Sequence, residues 1–129
     1  MLADAAAVAG GKLFVHGGGW DSISVESLPA VHPSMAVVLV FRVEYAEALQ
    51  DIPITVELVD EDDVSLDVRL EGVVNVGHPP GSRPGAPTFM PLQWTLPLLK
   101  LPRAGGYRFR VSAGEDELAS VPFRVIQRR

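Results

Sequence analysis

Cysteine is absent from this sequence of 129 residues, so neither a disulfide framework nor a thiolate metal site can form. Lysine is nearly absent too, and sixteen acidic residues against eleven basic ones give a formal net charge of −5. An acidic chain of this kind is a poor partner for nucleic acid or for an anionic membrane surface. The longest apolar run, residues 35–41, is far shorter than the ~20 residues of a membrane span. We therefore expect no contact with nucleic acid or membranes.

The N-terminus also lacks the features of a secretion signal. No basic residue precedes Lys12, and Asp4 interrupts the short apolar stretch. By elimination, we expect a cytoplasmic protein.

Period-two alternation of apolar and polar residues dominates the chain, and glycine and proline punctuate it. Gly10 and Gly11 separate two alternating segments and predict a hairpin. Residues 46–50 could form one or two helical turns. Seven to nine short strands with at most one short helix predict an all-β fold, namely a two-sheet antiparallel β-sandwich of immunoglobulin-like or jelly-roll-like type. A chain of this length suits a single domain over residues 1–129.

The last two predicted strands form a hairpin whose register follows from their phenylalanines. Placing Phe109 opposite Phe123 turns both rings toward the core. The same register sets Arg108 opposite Arg124, and facing like charges destabilise a sheet. A neighbouring strand should therefore supply acid, and the candidates are Asp67 and Glu71.

Prolines indicate which strands lie at sheet edges, because proline has no N–H to donate to a neighbouring strand. Pro97 restricts its strand to an edge or a bulge, and Pro122 predicts that the last strand is an edge. Tyr107 stands at the entry to the penultimate strand, the position of the tyrosine corner in immunoglobulin-like sandwiches. The alternative is simply an aromatic residue at a strand start.

No spacing of residues predicts a catalytic centre, so we expect a protein that is not an enzyme and needs no cofactor. The three histidines are far apart in sequence and share no zinc-ligand spacing. Residues 17–19, three glycines, precede a strand rather than the helix that a phosphate loop requires, which favours a kink where a strand changes sheets. The acidic run at residues 60–63 could hold calcium or could be an exposed turn.

The strand that begins at Met35 is apolar on both faces, which antiparallel sheets rarely are. One face continues into the core, and Val38 and Val40 then point away from it. Their cover could come from residues 2–8, from the helical turn near residues 46–49, or from a second copy. We favour a homo-oligomer, preferably a dimer, with Val38 and Val40 at its interface. The main functional hypothesis is thus a non-catalytic protein acting through self-association or contact with another, unidentified protein.

The second hypothesis is a small-molecule or carbohydrate-binding module with a pocket near Trp20, Trp94 and His78, beside the proline-rich loop at residues 77–87. That loop is either a proline-stiffened connector or a polyproline II ligand for a partner. Tryptophans flanking a concave site would favour the binding module. Tryptophans buried between the sheets would favour the protein-contact hypothesis.

Several blocks of the sequence resemble a known family. The blocks are residues 4–8 (DAAAV) followed by 11–20 (GKLFVHGGGW), 76–81 (VGHPPG) with 85–87, and 106–109 with 123–125. They are similar to a family of small bacterial, largely actinobacterial, proteins of unknown function that are predicted to be all-β. The resemblance covers most of the chain and is weakest over residues 42–63. It implies the all-β fold and brings no catalytic or binding residue.

Overall fold

Nine strands and one 3₁₀ turn make up the computed structural model of the chain, which describes residues 1–77, 81 and 83–128. The turn, Tyr45–Glu47, lies at the start of the segment expected to be helical. The strands are β1 (Leu2–Ala9), β2 (Lys12–Trp20), β3 (Ser22–Val25), β4 (Ala30–Val43), β5 (Ile52–Asp60), β6 (Ser65–Val74), β7 (Thr88–Leu101), β8 (Gly105–Ala113) and β9 (Asp116–Gln127).

The strands form two sheets, which confirms the predicted all-β sandwich. Sheet A has four strands in the order β2-β1-β4-β7, and sheet B has five in the order β3-β9-β8-β5-β6. Neighbouring strands are antiparallel except β3 and β9, which run parallel. Sheet B is therefore mixed, and the expectation of a purely antiparallel sandwich is wrong on this point.

The inner faces of the two sheets share one apolar core. Leu2 and Val37 enter it from sheet A, and Val56 and Phe109 enter it from sheet B. All four side chains are buried. Alternation places them there, because every second residue of a strand points to the same face of its sheet.

The N-terminal hairpin is confirmed, and so is the change of sheet that follows it. Gly10 and Gly11 connect β1 to β2 with φ of 58° and 71°, the left-handed geometry that two-residue hairpin turns require. β2 ends in sheet A at Trp20, and β3 begins in sheet B at Ser22. The chain thus crosses between the sheets at Asp21, two residues after the last of the three glycines.

Of the two edge strands predicted from proline, the one at Pro97 is confirmed and the one at Pro122 is wrong. β7, which contains Pro97, is an edge strand of sheet A, as expected. β9 lies between β3 and β8, so the expectation that the last strand is an edge is wrong. Pairing with β3 begins only at Arg124, whose N–H donates to the Asp21 carbonyl. Pro122 lies two residues earlier, where that side of β9 is still free, so its missing donor costs no ladder bond.

The terminal hairpin has the predicted faces but a different register. Phe109 and Phe123 are both buried, yet Phe109 pairs with Val121, and Phe123 pairs with Tyr107. Arg108 consequently lies opposite Pro122 rather than Arg124. The predicted pairing of the two phenylalanines is therefore wrong by two residues, a slip that keeps every side chain on its own face.

The tyrosine-corner contact is present at the entry to β8. The Tyr107 hydroxyl donates to the Arg103 carbonyl at 2.6 Å and accepts the Arg103 N–H at 3.2 Å. The ring itself is buried and stacks on Phe123, with centroids 5.4 Å apart. The hydroxyl thus fixes the turn before β8 to the core, which confirms the expectation.

Candidate functional site

The two tryptophans lie in one row across sheet A. Trp20 pairs with Leu2, Leu2 pairs with Val37, and Val37 pairs with Trp94. Three interstrand steps separate the tryptophan backbones, about 14 Å in all. Both indoles are partly buried and pack against the core between the sheets. Leu2 and Val37 stand between them, so the tryptophans do not line a common pocket.

Trp20 borders a small depression where the chain crosses between the sheets. The depression has a volume of about 260 Å³, and the His32 ring lies 6.0 Å from the indole. The indole nitrogen is buried and has no hydrogen-bond partner in the described part of the chain. Because this nitrogen is not accessible to solvent, Trp20 offers the depression no exposed donor. The other lining residues are Asp4, Ser22, Ile23 and Ser24.

Trp94 connects the two sheets at their other edge. Its indole N–H donates to the Glu71 carbonyl of β6 at 3.1 Å. Its ring lies so close to Gly72 that a Cβ at that position would be 3.0 Å from Cζ2. Trp94 is thus held by packing and a hydrogen bond within the chain. His78, the third residue of the expected pocket, lies outside the described residues.

The outward face of β4 is covered in part by the N-terminal hairpin. Val38 is only 3% exposed and packs in a second apolar cluster, which includes Ala3 and Ala36. Leu13 and Val15 of β2 pack against this cluster, and the hairpin also contacts β7. The expectation that the monomer leaves Val38 uncovered is therefore wrong. Residues 2–8, which were one of the three candidates to cover Val38, are part of the hairpin that buries it.

Val40 lies just beyond the part of the face that the hairpin covers. It is 57% exposed, and Phe89 on β7 is 61% exposed. Val40 pairs with Pro91, and Arg42 pairs with Phe89, so Val40 and Phe89 are diagonal neighbours on the same face. We call Val40, Phe89 and Pro91 the Val40 patch. It leaves two large apolar side chains together in water, beside the part of the sheet face that the hairpin covers.

Charged side chains cover the outward face of sheet B around a depression of about 420 Å³. Glu57 binds both Arg69 and Arg110, at 3.2 Å and 3.1 Å. Arg108 binds Asp63 at 2.9 Å and Glu117 at 2.8 Å. Asp67 and Glu71 were expected to supply the acidic partners of the arginines on β8, but Asp63, Glu117 and Glu57 supply them instead. Glu71 pairs with Arg69. Each of the three arginines that line the depression is therefore already paired with an acidic side chain.

The acidic turn after β5 is built around one buried carboxylate. Asp60 Oδ1 accepts the backbone N–H groups of Asp62 at 2.9 Å and Val64 at 3.0 Å, and Oδ2 binds the Arg103 guanidinium. The bond from Val64, followed by those from Asp62 and Arg103, lowers the pKa of Asp60, although burial opposes the shift. Within the described residues, no three His, Asp or Glu side chains converge as a metal site would require. The buried Asp60 therefore has a structural role in closing the turn.

Comparison with known proteins gives a match to a protein family. Residues 1–126 match the family of unknown function DUF6941. The chain therefore belongs to the DUF6941 family. No curated protein and no solved structure is significantly similar to it. In this DUF6941 chain, no helix of the described residues is long and apolar enough to cross a membrane.

The lowered pKa of Asp60 predicts an acid-sensitive contribution to the stability of this DUF6941 chain. A carboxyl group whose pKa in the folded state is below its ordinary value of 3.8 stabilises the fold fully above pH 3.8. The contribution is lost as the pH falls through the folded-state pKa. Asp60→Asn should therefore be less stable than wild type at pH 7, and the difference should shrink below pH 3.8. Urea unfolding at a series of pH values measures it.

Asp62→Asn is the matched control, because Asp62 lies exposed in the same turn. It should follow the wild-type stability across the series. A difference between Asp60→Asn and wild type that stayed constant down to the lowest pH would contradict the assignment.

Proposed function

We propose that this protein is a non-catalytic β-sandwich module that works through protein contacts, first of all with a second copy of itself. The contact surface is the Val40 patch on the outward face of sheet A. The observation that carries the proposal is the side-by-side exposure of Val40 and Phe89, next to a part of the face that the chain covers with its own hairpin. Burying such a pair against apolar surface is favourable.

The rim of the patch supports a second copy as the partner. Arg42 and Glu44 lie beside Val40 and form an exposed ion pair at 2.8 Å. A two-fold contact through the patch would bury the Val40 patch of one copy against that of the other and leave this ion pair at the rim. Such a self-complementary surface, apolar at its centre and charged at its rim, is what a two-fold interface needs.

The edge of sheet A that lies beside the Val40 patch argues for contact through the face rather than through strands added at that edge. β7 forms this edge and contains Pro91 and Pro97. Proline cannot donate to a ladder, so an edge with two prolines is a poor template for another strand. The apolar face beside that edge is the better surface for association.

The positions of the tryptophans favour this proposal over a tryptophan-lined ligand pocket. Both indoles pack against the core between the sheets, with Leu2 and Val37 between them. Side chains used for packing are not available to stack on a sugar ring. The depression beside Trp20 is smaller than the ~300–1,000 Å³ of common ligand pockets.

The strand order supports an immunoglobulin-like sandwich as the scaffold. β1-β4-β7 correspond to strands A, B and E of that fold, and β9-β8-β5-β6 correspond to G, F, C and C′. The tyrosine corner at Tyr107 lies on the strand that corresponds to F, as in immunoglobulin-like domains. Many proteins of this architecture act through their surfaces, which fits a module that carries no chemistry of its own.

Val40→Glu tests the proposal because it places a charge at the centre of the patch. Two such charges facing each other across a two-fold axis would repel and lose hydration. We expect wild type to elute as a dimer in size exclusion with light scattering, and Val40→Glu to elute as a folded monomer. The melting curve of the monomeric variant, recorded by circular dichroism, should remain cooperative.

Leu118→Glu is the matched control, because Leu118 is a similarly exposed apolar residue on β9 in the other sheet. It introduces the same charge and should leave the dimer intact. Loss of the dimer in both variants, or in neither, would show that the Val40 patch is not the interface.

A further inference from the structure

An apolar cleft opens at the end of the sandwich opposite the Val40 patch. It has a volume of about 440 Å³, within the range of small-molecule sites. Val31, at its wall, lies nine residues before Val40 on the same strand, about 30 Å away. The cleft is therefore separate from the proposed dimer surface. Its lining residues are Pro29, Ala30, Val31, Leu66, Lys100 and Pro102.

The walls of this cleft come from both sheets and are almost entirely apolar. Val31 on β4 is 54% exposed, and Leu66 reaches the cleft from β6 of the opposite sheet. Pro29 and Pro102 lie just outside β4 and β7 and border the cleft. Proline has a fixed φ, so these walls lose little freedom when a ligand is bound. The cleft is thus a preformed apolar surface in contact with water.

Among the described residues that line the cleft, Lys100 is the single charged one. It lies directly opposite Val31 in the β4–β7 ladder, so its side chain starts within about 5.5 Å of the apolar wall. In the part of the chain that the structure describes, Lys100 forms no ion pair, whereas six of the arginines do. An unneutralised ammonium group beside an apolar wall, in a protein of net charge −5, selects for a negative group on the ligand.

We propose that this cleft binds a small anionic amphiphile, an apolar chain or ring that ends in one carboxylate or sulfonate. The apolar part lies against Val31, Leu66 and the two prolines. The anionic group binds the ammonium of Lys100 at the rim. The site accepts a free small molecule, since its volume suits one ligand and not a folded partner.

Decanoate is a suitable probe, used below its micelle concentration and titrated into wild type by calorimetry. We expect one decanoate per chain, and amide shifts in ¹⁵N–¹H spectra centred on Ala30, Val31 and Lys100. Lys100→Gln should weaken binding by about fivefold, the upper range for a solvent-exposed ion pair. Decyltrimethylammonium, with the same chain and the opposite charge, should bind more weakly than decanoate.

Lys12→Gln is the matched control, because Lys12 is the other lysine of the chain, begins β2 and is not among the residues that line the cleft. It should bind decanoate as wild type does. The proposal is overturned if wild type does not bind decanoate, if the amide shifts lie elsewhere, or if the two lysine variants bind equally. Equal binding of decyltrimethylammonium would also overturn it, because Lys100 would then select nothing.

Discussion

Phe109→Ala should destabilise the fold by about 3–5 kcal/mol, the largest effect expected of a single truncation in this chain. The Phe109 side chain is fully buried at the centre of sheet B. Its ring stacks on Phe123 with centroids 5.7 Å apart, and Phe123 stacks in turn on Tyr107 at 5.4 Å. Alanine would therefore leave a cavity and end this stack at Phe123. The loss is a large part of the ~5–15 kcal/mol that stabilises a typical domain.

Equilibrium unfolding in guanidinium chloride measures this loss. Phe14→Ala provides the control, because Phe14 lies exposed on β2 and makes no comparable contact with the core. It should stay within about 0.5 kcal/mol of wild type. Comparable losses in the two variants would mean that the β8–β9 hairpin does not face the core as described.

Leu2→Ala should cost about 2–5 kcal/mol, although the residue is second in the chain. Terminal residues are usually poorly ordered and tolerant of change. Leu2 is instead almost fully buried, between Trp20 and Val37 in the row across sheet A. Hydrogen bonds between Met1 and Val38, at 2.8 Å and 2.9 Å, hold the start of β1 against β4. Truncating Leu2 would thus open a cavity in the core itself.

Val8→Ala is the control for this truncation, because Val8 lies exposed near the end of the same strand. It should change the free energy of unfolding by no more than about 0.5 kcal/mol. Unfolding curves for the two variants, recorded side by side, decide the matter. A Leu2→Ala protein as stable as Val8→Ala would mean that β1 is not part of the core.

Faces of strands could be predicted from the sequence, whereas registers could not. Alternation identifies Phe109 and Phe123 as core residues, and both are buried. A slip of two residues preserves that alternation, so it cannot distinguish pairing with Phe123 from the observed pairing with Val121. The observed register comes from a two-residue turn at Gly114 and Glu115 and a register shift between Val111 and Ser112. Neither feature leaves a signal in the apolar pattern.

Pairing between strands that lie far apart in sequence could not be predicted either. Pro122 correctly indicates a free donor position, but nothing near it reveals that β3 joins β9 from two residues further on. The cover of Val38 is similar, since an apolar outward face predicts that something covers it without saying what. The hairpin that covers Val38 could itself be predicted from Gly10 and Gly11. That the hairpin packs on the outward face of β4 could not be predicted from the sequence and is seen only in the structure.

The candidate site was predicted least well, for a physical reason. Trp20 and Trp94 lie far apart in sequence, and large aromatic residues serve packing and binding equally well. Their shared row in sheet A, which packs both against the core, depends on three pairings that local patterns do not encode. The cleft at Lys100 likewise joins residues from both sheets, so no single segment indicates it.

Sedimentation equilibrium of the wild-type protein over a wide range of concentrations tests the central proposal most directly. The chain mass is 13.9 kDa, and a self-associating module should show an average mass that rises with concentration toward twice that value. The Val40 patch predicts a single monomer–dimer equilibrium, because a two-fold contact closes on itself. An average mass that stayed at 13.9 kDa at every concentration would contradict the account.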